Sequence, residues 1–322
     1  FMGDSMKIFF QLLRLLKPFT GEVILSIMMG IATVGSGIGL LGSSAFLIAS
    51  AALHPSIADL QVAIVGVRFF GISRAAFRYL ERLISHSVNL HVLSRLREWF
   101  YWKIESSPPR QWFEYKKGDL LDRVLSDIET LENFYVRVVS PVITAIVIGF
   151  GVSIFIGSFS TELGIVLASG LVISGVILPI EIVLFTLITA RESTQIRANL
   201  ASQTIEIIQG FEDLQAFGSL EIWLKNLREE NLRSSKIQKR MSILGGVNAG
   251  LSIGILNLTV FCVLWAAIPL VRESVITGIN LAVIILISMA SFEATVNLPQ
   301  AAMTLNACVQ SAKRLFAITD QN

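Results

Sequence analysis

The sequence predicts an all-α, polytopic membrane protein with six transmembrane helices and an alternation of short connections with long helical ones. Of its 322 residues, 53% are hydrophobic and 16% are charged, whereas soluble domains carry roughly 25% charged residues. The charged residues are concentrated in a few segments, and long apolar stretches lie between them. The net charge of +2 is too small to indicate a nucleic-acid partner.

Six stretches are apolar enough to cross a bilayer, which takes about 20 mostly apolar residues in a helix. They lie at about 22–53, 57–80, 141–159, 163–190, 241–271 and 279–298. The opening segment is amphipathic and lacks the apolar centre of a cleavable signal peptide. We therefore expect an interfacial N-terminal helix over 1–20 that contacts membrane lipid, followed by a transmembrane domain over 21–318.

The distribution of Lys and Arg predicts the orientation of the chain. Both termini and the two long connections together carry 21 of these residues, whereas the short connections carry Arg272 alone. Because positively charged connections stay on the cytoplasmic side, both termini and both long connections are predicted to be cytoplasmic.

The two long connections keep helical periodicity while they turn polar, so the spans are predicted to continue as long cytoplasmic helical extensions. Breaks are expected at residues 106–109 in the first connection and at Gly210 and Gly218 in the second. Short amphipathic segments lie near 109–118 and 211–224. A helix at the tip of such a hairpin is placed to contact a cytoplasmic partner.

This pattern resembles the transmembrane domain of an ABC exporter. More narrowly, several segments resemble the CydC half of the CydDC family, a heterodimeric bacterial transporter required for cytochrome bd assembly and associated with cysteine, glutathione and haem. These segments are LLGSSAFLIASAAL, RYLERLISH, RLREWFYWKIE, KGDLLDRVLSDIETLENFYVRVVSPV and IIQGFEDLQAFG.

The resemblance implies a subunit of an ATP-driven exporter in the bacterial inner membrane, paired with a homologous CydD-like half-transporter. It also implies that the tip helices couple to nucleotide-binding domains, through Trp112, Phe113, Glu114 and Tyr115 in the first hairpin and through Phe211, Glu212, Asp213 and Leu214 in the second. No GxxxxGK[ST] phosphate loop occurs in the sequence. ATP hydrolysis is therefore expected outside these residues, with 319–322 as the start of a linker.

Four arginines lie in the second span, at Arg68, Arg74, Arg78 and Arg82. An arginine at the bilayer centre costs about 2.5–3.5 kcal/mol on insertion scales, so these side chains need a wet cavity or anionic partners. One interpretation is a cationic lining that, with Tyr79, holds the carboxylates of a thiol peptide or of haem propionates.

The other interpretation is internal pairing of these arginines with acids, while Arg82 extends toward the interface. The candidate partners are Glu81 in the same span and the intramembrane acids Glu181 and Glu293. The sequence leaves the two interpretations open.

His86 follows Arg74, Arg78 and Arg82 at intervals of four, so the four side chains share one helical face. A neutral imidazole can ligate haem iron, although a single histidine at a membrane boundary is more often structural or solvated. The resemblance of RYLERLISH to the family motif implies that His86 is an axial ligand of haem b. His54 and His91 are expected to be bystanders.

A second function remains open, namely a membrane haem-binding or redox-sensing protein through which no solute crosses. In that case His86 would hold iron, and the arginines would hold the propionates.

Overall fold

The computed structural model describes residues 17–54, 56–105 and 127–319, and these residues are almost entirely helical, without a strand. Most of the predicted interfacial helix and the whole first tip helix lie outside the described residues. The proposed coupling residues Trp112, Phe113, Glu114 and Tyr115 therefore lie outside them as well.

The described residues form ten α-helices, which we number in chain order. They are α1 (Thr20–Ala51), α2 (Ile57–Glu105), α3 (Ile128–Phe134), α4 (Ser140–Gly157), α5 (Thr161–Val172), α6 (Leu178–Gln209), α7 (Phe211–Ala216), α8 (Leu220–Arg272), α9 (Gly278–Ser291) and α10 (Leu298–Thr319). A short 3-10 helix, Lys17–Phe19, precedes α1. Further irregular turns join consecutive helices and are described below.

Six helical spans are long and apolar enough to cross a membrane, as the sequence predicts. They are Thr20–Ala51, Ile57–Lys103, Ile128–Gly157, Thr161–Phe185, Leu220–Arg272 and Gly278–Phe316, which we call the first to sixth spans. The predicted continuation beyond the lipid is also present, because α2 has 49 residues and α8 has 53. At 1.5 Å per residue, each is roughly 75–80 Å long.

Three of the spans are interrupted by irregular turns rather than by loops. Five-residue π-helical turns lie at Tyr135–Val139 in the third span and at Ile173–Ile177 in the fourth. In the sixth span, a 3-10 turn, Phe292–Ala294, separates α9 from α10. Such interruptions are frequent at functional sites, because they free backbone groups and redirect side chains.

The chain divides into two compact units, residues 1–176 with 255–322 and residues 177–254. The first unit contains two clusters of buried apolar side chains. Core A is built from the third to sixth spans and the middle of α1, around Ile38, Ile148, Leu167 and Ile284. Core B joins the start of α1, the later part of α2, α3 and the end of α10, around Val88, Phe100, Phe134 and Leu315.

The second unit contains all of α6 and α7 and the first part of α8. Its described side chains are mainly exposed, and Ile196 and Ile207 are among the few buried ones. Large apolar side chains on its surface include Phe185, Ile208 and Phe217. This unit therefore has apolar surface available for contact with lipid or with another subunit.

Candidate functional site

Arg74 in the second span forms an ion pair with Glu293 in the sixth span. Arg74 Nη2 donates to Glu293 Oε1 at 2.7 Å and to Oε2 at 2.9 Å. Arg78 Nη2 lies 3.5 Å from Glu293 Oε1. Internal pairing, one of the two interpretations of the sequence, is therefore present for these two arginines.

The Arg74–Glu293 pair lies against the backbone of α1 at Gly37. A Cβ atom at this position would be 3.2 Å from Arg74 Cζ and 3.3 Å from Glu293 Oε2. Glycine is the residue that lets the guanidinium and the carboxylate approach the helix this closely.

Glu293 reaches Arg74 from the interruption in the sixth span. The adjacent Thr295 is buried, and its hydroxyl is 3.1 Å from that of Ser174 in the π-helical turn of the fourth span. Thr295 Oγ1 also donates to the Phe292 carbonyl at 3.0 Å. Side-chain hydrogen bonds thus hold a segment in which regular helix hydrogen bonding is interrupted.

His86 and Arg82 line one open cavity of about 510 Å³, which we call the His86 cavity. Tyr79 and Asn89 line it as well, together with Leu83, Ser85 and Val136. The Asn89 Oδ1 atom is buried and has no hydrogen-bond partner among the described residues. The predicted candidates Tyr79, Arg82 and His86 are therefore brought together, beside an amide oxygen that can accept a further hydrogen bond.

A second, smaller cavity of about 230 Å³ contains both acidic and basic side chains, and we call it the Glu81 cavity. Glu81 and Arg78 from α2 and Glu293 from the sixth span are among the residues that line it. Val136 lines both cavities. The stripe predicted from the sequence is thus divided, with Arg78 at the Glu81 cavity and Arg82 at the His86 cavity.

The two remaining charged candidates, Arg68 and Glu181, are not lining residues of either cavity. Arg68 is exposed near the start of α2 and lines neither cavity. Glu181 is exposed in the first turn of α6, in the second compact unit.

The other two histidines, His91 and His54, lie outside the His86 cavity. His91 Nδ1 is 3.3 Å from Glu22 Oε2, and its ring stacks on Phe19 with centroids 5.6 Å apart. His54 has a positive φ of 55° in the turn after α1. Neither lines the His86 cavity.

The second tip helix is present but shorter than the predicted segment 211–224. Helix α7 ends at Ala216, and Gly218 follows with a φ of +64°. Ser219 N donates to the Leu214 carbonyl and Gly218 N to the Gln215 carbonyl, the hydrogen-bond pattern of a Schellman helix end. Of the proposed coupling residues, Phe211, Glu212 and Asp213 are exposed, and Leu214 is partly buried.

Two polar interactions that sequence reasoning missed lie in or beside core B. Asp127, only 3% exposed, accepts from Arg314 Nη2 and from Arg314 Nε. The buried Tyr135 hydroxyl donates to the Val23 carbonyl at 2.9 Å. The apolar runs around Asp127 and Tyr135 mark buried helix faces, but no sequence signal identifies their partners.

Metal ligation by protein groups alone has no candidate site among residues 17–54, 56–105 and 127–319. No group of three or more His, Cys, Asp or Glu side chains in these ranges could hold a metal ion. Cys262 is exposed, and Cys308 is buried, where its thiol donates to the Thr130 carbonyl at 3.2 Å.

A comparison with known protein families identifies the family to which this six-span chain belongs. The family described as the ABC transporter transmembrane region matches residues 6–295. The chain belongs to this family.

Curated relatives include both halves of one transport system. The chain is 29% identical over 256 residues to the glutathione/L-cysteine transport system ATP-binding/permease protein CydC of Escherichia coli, covering 80% of this chain and 45% of the relative. It is 31% identical over 209 residues to the corresponding CydD protein of Bacillus subtilis, covering 64% of this chain and 36% of the relative.

A further CydC protein, from Haemophilus influenzae, is 26% identical over 324 aligned positions, covering 98% of this chain and 55% of the relative. The chain thus spans about half the length, or less, of the curated relatives it matches. The relatives carry both subunit names, so the comparisons support kinship with the pair rather than with one half.

Proposed function

We propose that this chain is the transmembrane part of a CydC-like subunit in a heterodimeric ATP-driven exporter. Its cargo would be cysteine, glutathione or a haem-related compound, moved across the bacterial inner membrane in support of cytochrome bd assembly. The observation that carries this proposal is the grouping of His86, Arg82 and Tyr79 around one open cavity, in a chain whose relatives are named as glutathione and L-cysteine transport proteins.

The His86 cavity has the chemistry that a haem site needs. The His86 imidazole is an axial-ligand type, Arg82 can neutralise a propionate, and Leu83 and Val136 provide apolar walls. Haem b, when bound, would supply an iron centre with a Soret band and one-electron redox chemistry.

The remaining parts of an exporter are proposed partners. The exposed surface of α7 supports docking to a nucleotide-binding domain, and the apolar surface of the second unit supports packing against a homologous CydD-like half. The excess of Lys and Arg in the long connections supports cytoplasmic termini. ATP would act only through the nucleotide-binding domains.

Haem titration of the purified transporter tests the site. We expect the wild type to give a shifted Soret band and His86→Ala to lose it, while His91→Ala, on the same helix but outside the cavity, keeps it. An unchanged Soret band in His86→Ala would exclude His86 as the ligand.

Transport measurements separate the proposed exporter from the haem-binding or redox-sensing alternative, which the same cavity supports. Inverted membrane vesicles that contain the complete transporter should accumulate labelled cysteine, glutathione or haem only when ATP is present. Haem binding without uptake of any of these compounds would favour the sensor.

Coupling through α7 has its own test. We expect Phe211→Ala to weaken the stimulation of ATP hydrolysis by cargo, because the exposed aromatic ring is available to fill a socket on the motor domain. Phe217→Ala is the matched control, since this exposed ring lies beyond the end of α7. Equal stimulation in both variants would argue against a coupling role for Phe211.

A further inference from the structure

The Glu81 cavity lies at the seam between the two apolar cores of the first unit. Along α1, Ile27 belongs to core B and Ile38 to core A, and Gly30 and Thr33 between them line the cavity. In the third span, Val138 belongs to core B and Ala145 to core A, and the intervening Ser140 and Thr144 line the same cavity. Polar and small residues thus line the cavity where the cores meet, while Ile31 packs against both cores.

Glu81 is the acidic group of this cavity that lacks a partner. It is partly buried, and it forms no hydrogen bond or ion pair within 4 Å with any residue that the structure describes. Gly30 leaves open the space in front of it, because a Cβ at Gly30 would be 3.8 Å from Glu81 Cγ, 3.5 Å from Thr144 Oγ1 and 4.0 Å from Ser140 Oγ. A carboxylate and two hydroxyls therefore converge on one small volume.

Arg78 supplies a cation three residues before Glu81. The guanidinium is only 3.5 Å from one oxygen of Glu293, a carboxylate already held by both hydrogen bonds from Arg74. The Arg78 side chain is 64% exposed, so most of its five N–H donors remain available to a ligand.

The Glu81 cavity is lined by charges of both signs, namely Arg78, Glu81 and Glu293, and Arg74 pairs with Glu293 beside it. Arg82, which lines the His86 cavity, also interacts electrostatically with Glu81. A site with an incompletely paired cation and a carboxylate outside any ion pair favours a ligand that carries both charges. Unpaired ionisable groups within a membrane mark functional sites by default.

We propose that the Glu81 cavity binds an α-amino-acid head group, with Glu81 accepting from the ammonium and Arg78 donating to the carboxylate. The cavity volume of about 230 Å³ is sufficient for the head group of an amino acid such as cysteine.

Cysteine and glutathione share this head group. Free cysteine carries it directly, and glutathione carries it on its γ-glutamyl end, where both the α-ammonium and the α-carboxylate are free. A site for the head group would therefore admit both compounds without contacting the thiol. This assignment rests on the proposed function, since it names the part of the cargo that the transporter recognises.

Direct binding to the complete transporter in nanodiscs tests the assignment without variants. Wild-type protein should bind L-cysteine at least about tenfold more tightly than cysteamine, which lacks the carboxylate, and than 3-mercaptopropionate, which lacks the ammonium. Glutathione should also bind if the site accepts the γ-glutamyl end, and L-serine should bind if the thiol is not contacted. Equal affinity for cysteine and for either single-headed analogue would overturn the proposal.

Two variants assign the charges to residues. Glu81→Gln should weaken L-cysteine binding at least about tenfold but leave the binding of 3-mercaptopropionate, which has no ammonium, unchanged. Arg78→Gln should weaken L-cysteine binding to a similar extent but leave the binding of cysteamine, which has no carboxylate, unchanged. Glu98→Gln and Arg95→Gln, exposed on the same helix, are the matched controls. Unchanged cysteine affinity in Glu81→Gln would overturn the assignment.

Binding and uptake also distinguish failure of the head-group site from failure of the proposed function. Selective binding of L-cysteine with no ATP-dependent uptake of any thiol would leave the site in place and contradict export. ATP-dependent uptake of cysteine that is identical in wild type, Glu81→Gln and Arg78→Gln would support export and contradict the site.

Discussion

Arg74 Nη2 donates hydrogen bonds to both carboxylate oxygens of Glu293 and so connects the second span to the interruption in the sixth. The arginines of the stripe therefore differ in what they contact. Arg74 makes two hydrogen bonds to Glu293, and Arg78 makes a longer ion pair with the same carboxylate and lines the Glu81 cavity, whereas Arg82 lines the His86 cavity. The chemistry proposed for ligand binding is therefore confined to the part of the stripe that the protein leaves less completely paired.

Removing the Glu293 carboxylate should destabilise the transmembrane domain. We expect Glu293→Gln to lower the free energy of unfolding by about 1–2 kcal/mol, less than the 3–5 kcal/mol of a fully buried pair, because the two side chains remain 31% and 34% exposed. Denaturant unfolding in detergent measures this change. Glu162→Gln, exposed in the first turn of α5, is the control, and equal stability of the two variants would contradict a structural role for the pair.

A methyl group at Gly37 should disturb the same pair from the opposite side. Gly37→Ala places a Cβ 3.2 Å from Arg74 Cζ, so the guanidinium must shift and its two hydrogen bonds must weaken. Gly35→Ala is the matched control, because its Cβ would meet only Ile148 Cδ1, at 3.9 Å. Thermal unfolding should show a lower midpoint for Gly37→Ala than for Gly35→Ala, and the reverse order would count against this explanation.

Close approach of the third and fourth spans depends on Gly164. A Cβ there would be 2.8 Å from Gly157 Cα and 2.9 Å from the Ser153 carbonyl oxygen, and backbone atoms cannot rotate away. We expect Gly164→Ala to cost about 1–3 kcal/mol in unfolding free energy. Gly151→Ala, which meets nothing within 4 Å, should be neutral or slightly stabilising because alanine favours helix; equal losses would show that the contact is not the cause.

Asp127 should be the most sensitive acid in core B. Asp127→Asn removes the charge that Arg314 contacts through two nitrogen atoms, and we expect a loss of about 2–3 kcal/mol, moderated because Arg314 is half exposed. Chemical denaturation followed by tryptophan fluorescence would measure it. Glu129→Gln, exposed at the start of α3, should change little, and a similar loss there would indicate a general charge effect.

The six spans and their long extensions were predictable because they depend on composition and periodicity. A helix such as α8 can be recognised in the sequence as an amphipathic stretch that continues into an apolar one. The end of α7 was also signalled, since Gly218 adopts the positive φ that a helix end favours. The predicted tip segment extended too far because residues from Leu220 onward already belong to α8.

The interruptions in the third, fourth and sixth spans have a local signal, because each ends shortly before a proline, at Pro141, Pro179 and Pro299. A proline leaves the carbonyl four residues earlier without its helical donor, but it does not say what the interrupted segment contacts. The interruption at Glu293 is accompanied by bonds to Arg74 and, through Thr295, to Ser174. These partners are 219 and 121 positions away, so only the folded chain reveals them.

The choice between pairing and ligand binding for the arginines also required the fold. Periodicity places Arg74, Arg78 and Arg82 on one face but does not say what each one meets. The structure gives Arg74 a partner in the sixth span and places the other two beside separate cavities.

The division of the first unit into core A and core B has a consequence for how it opens. The seam between them is lined by Thr33, Ser140 and Thr144, side chains that contribute little apolar burial. Cooperative opening units follow contiguous apolar packing, so we expect the backbone amides of α9 and those of α3 to differ in their protection from hydrogen exchange. A small zwitterion bound at the seam should reduce that difference.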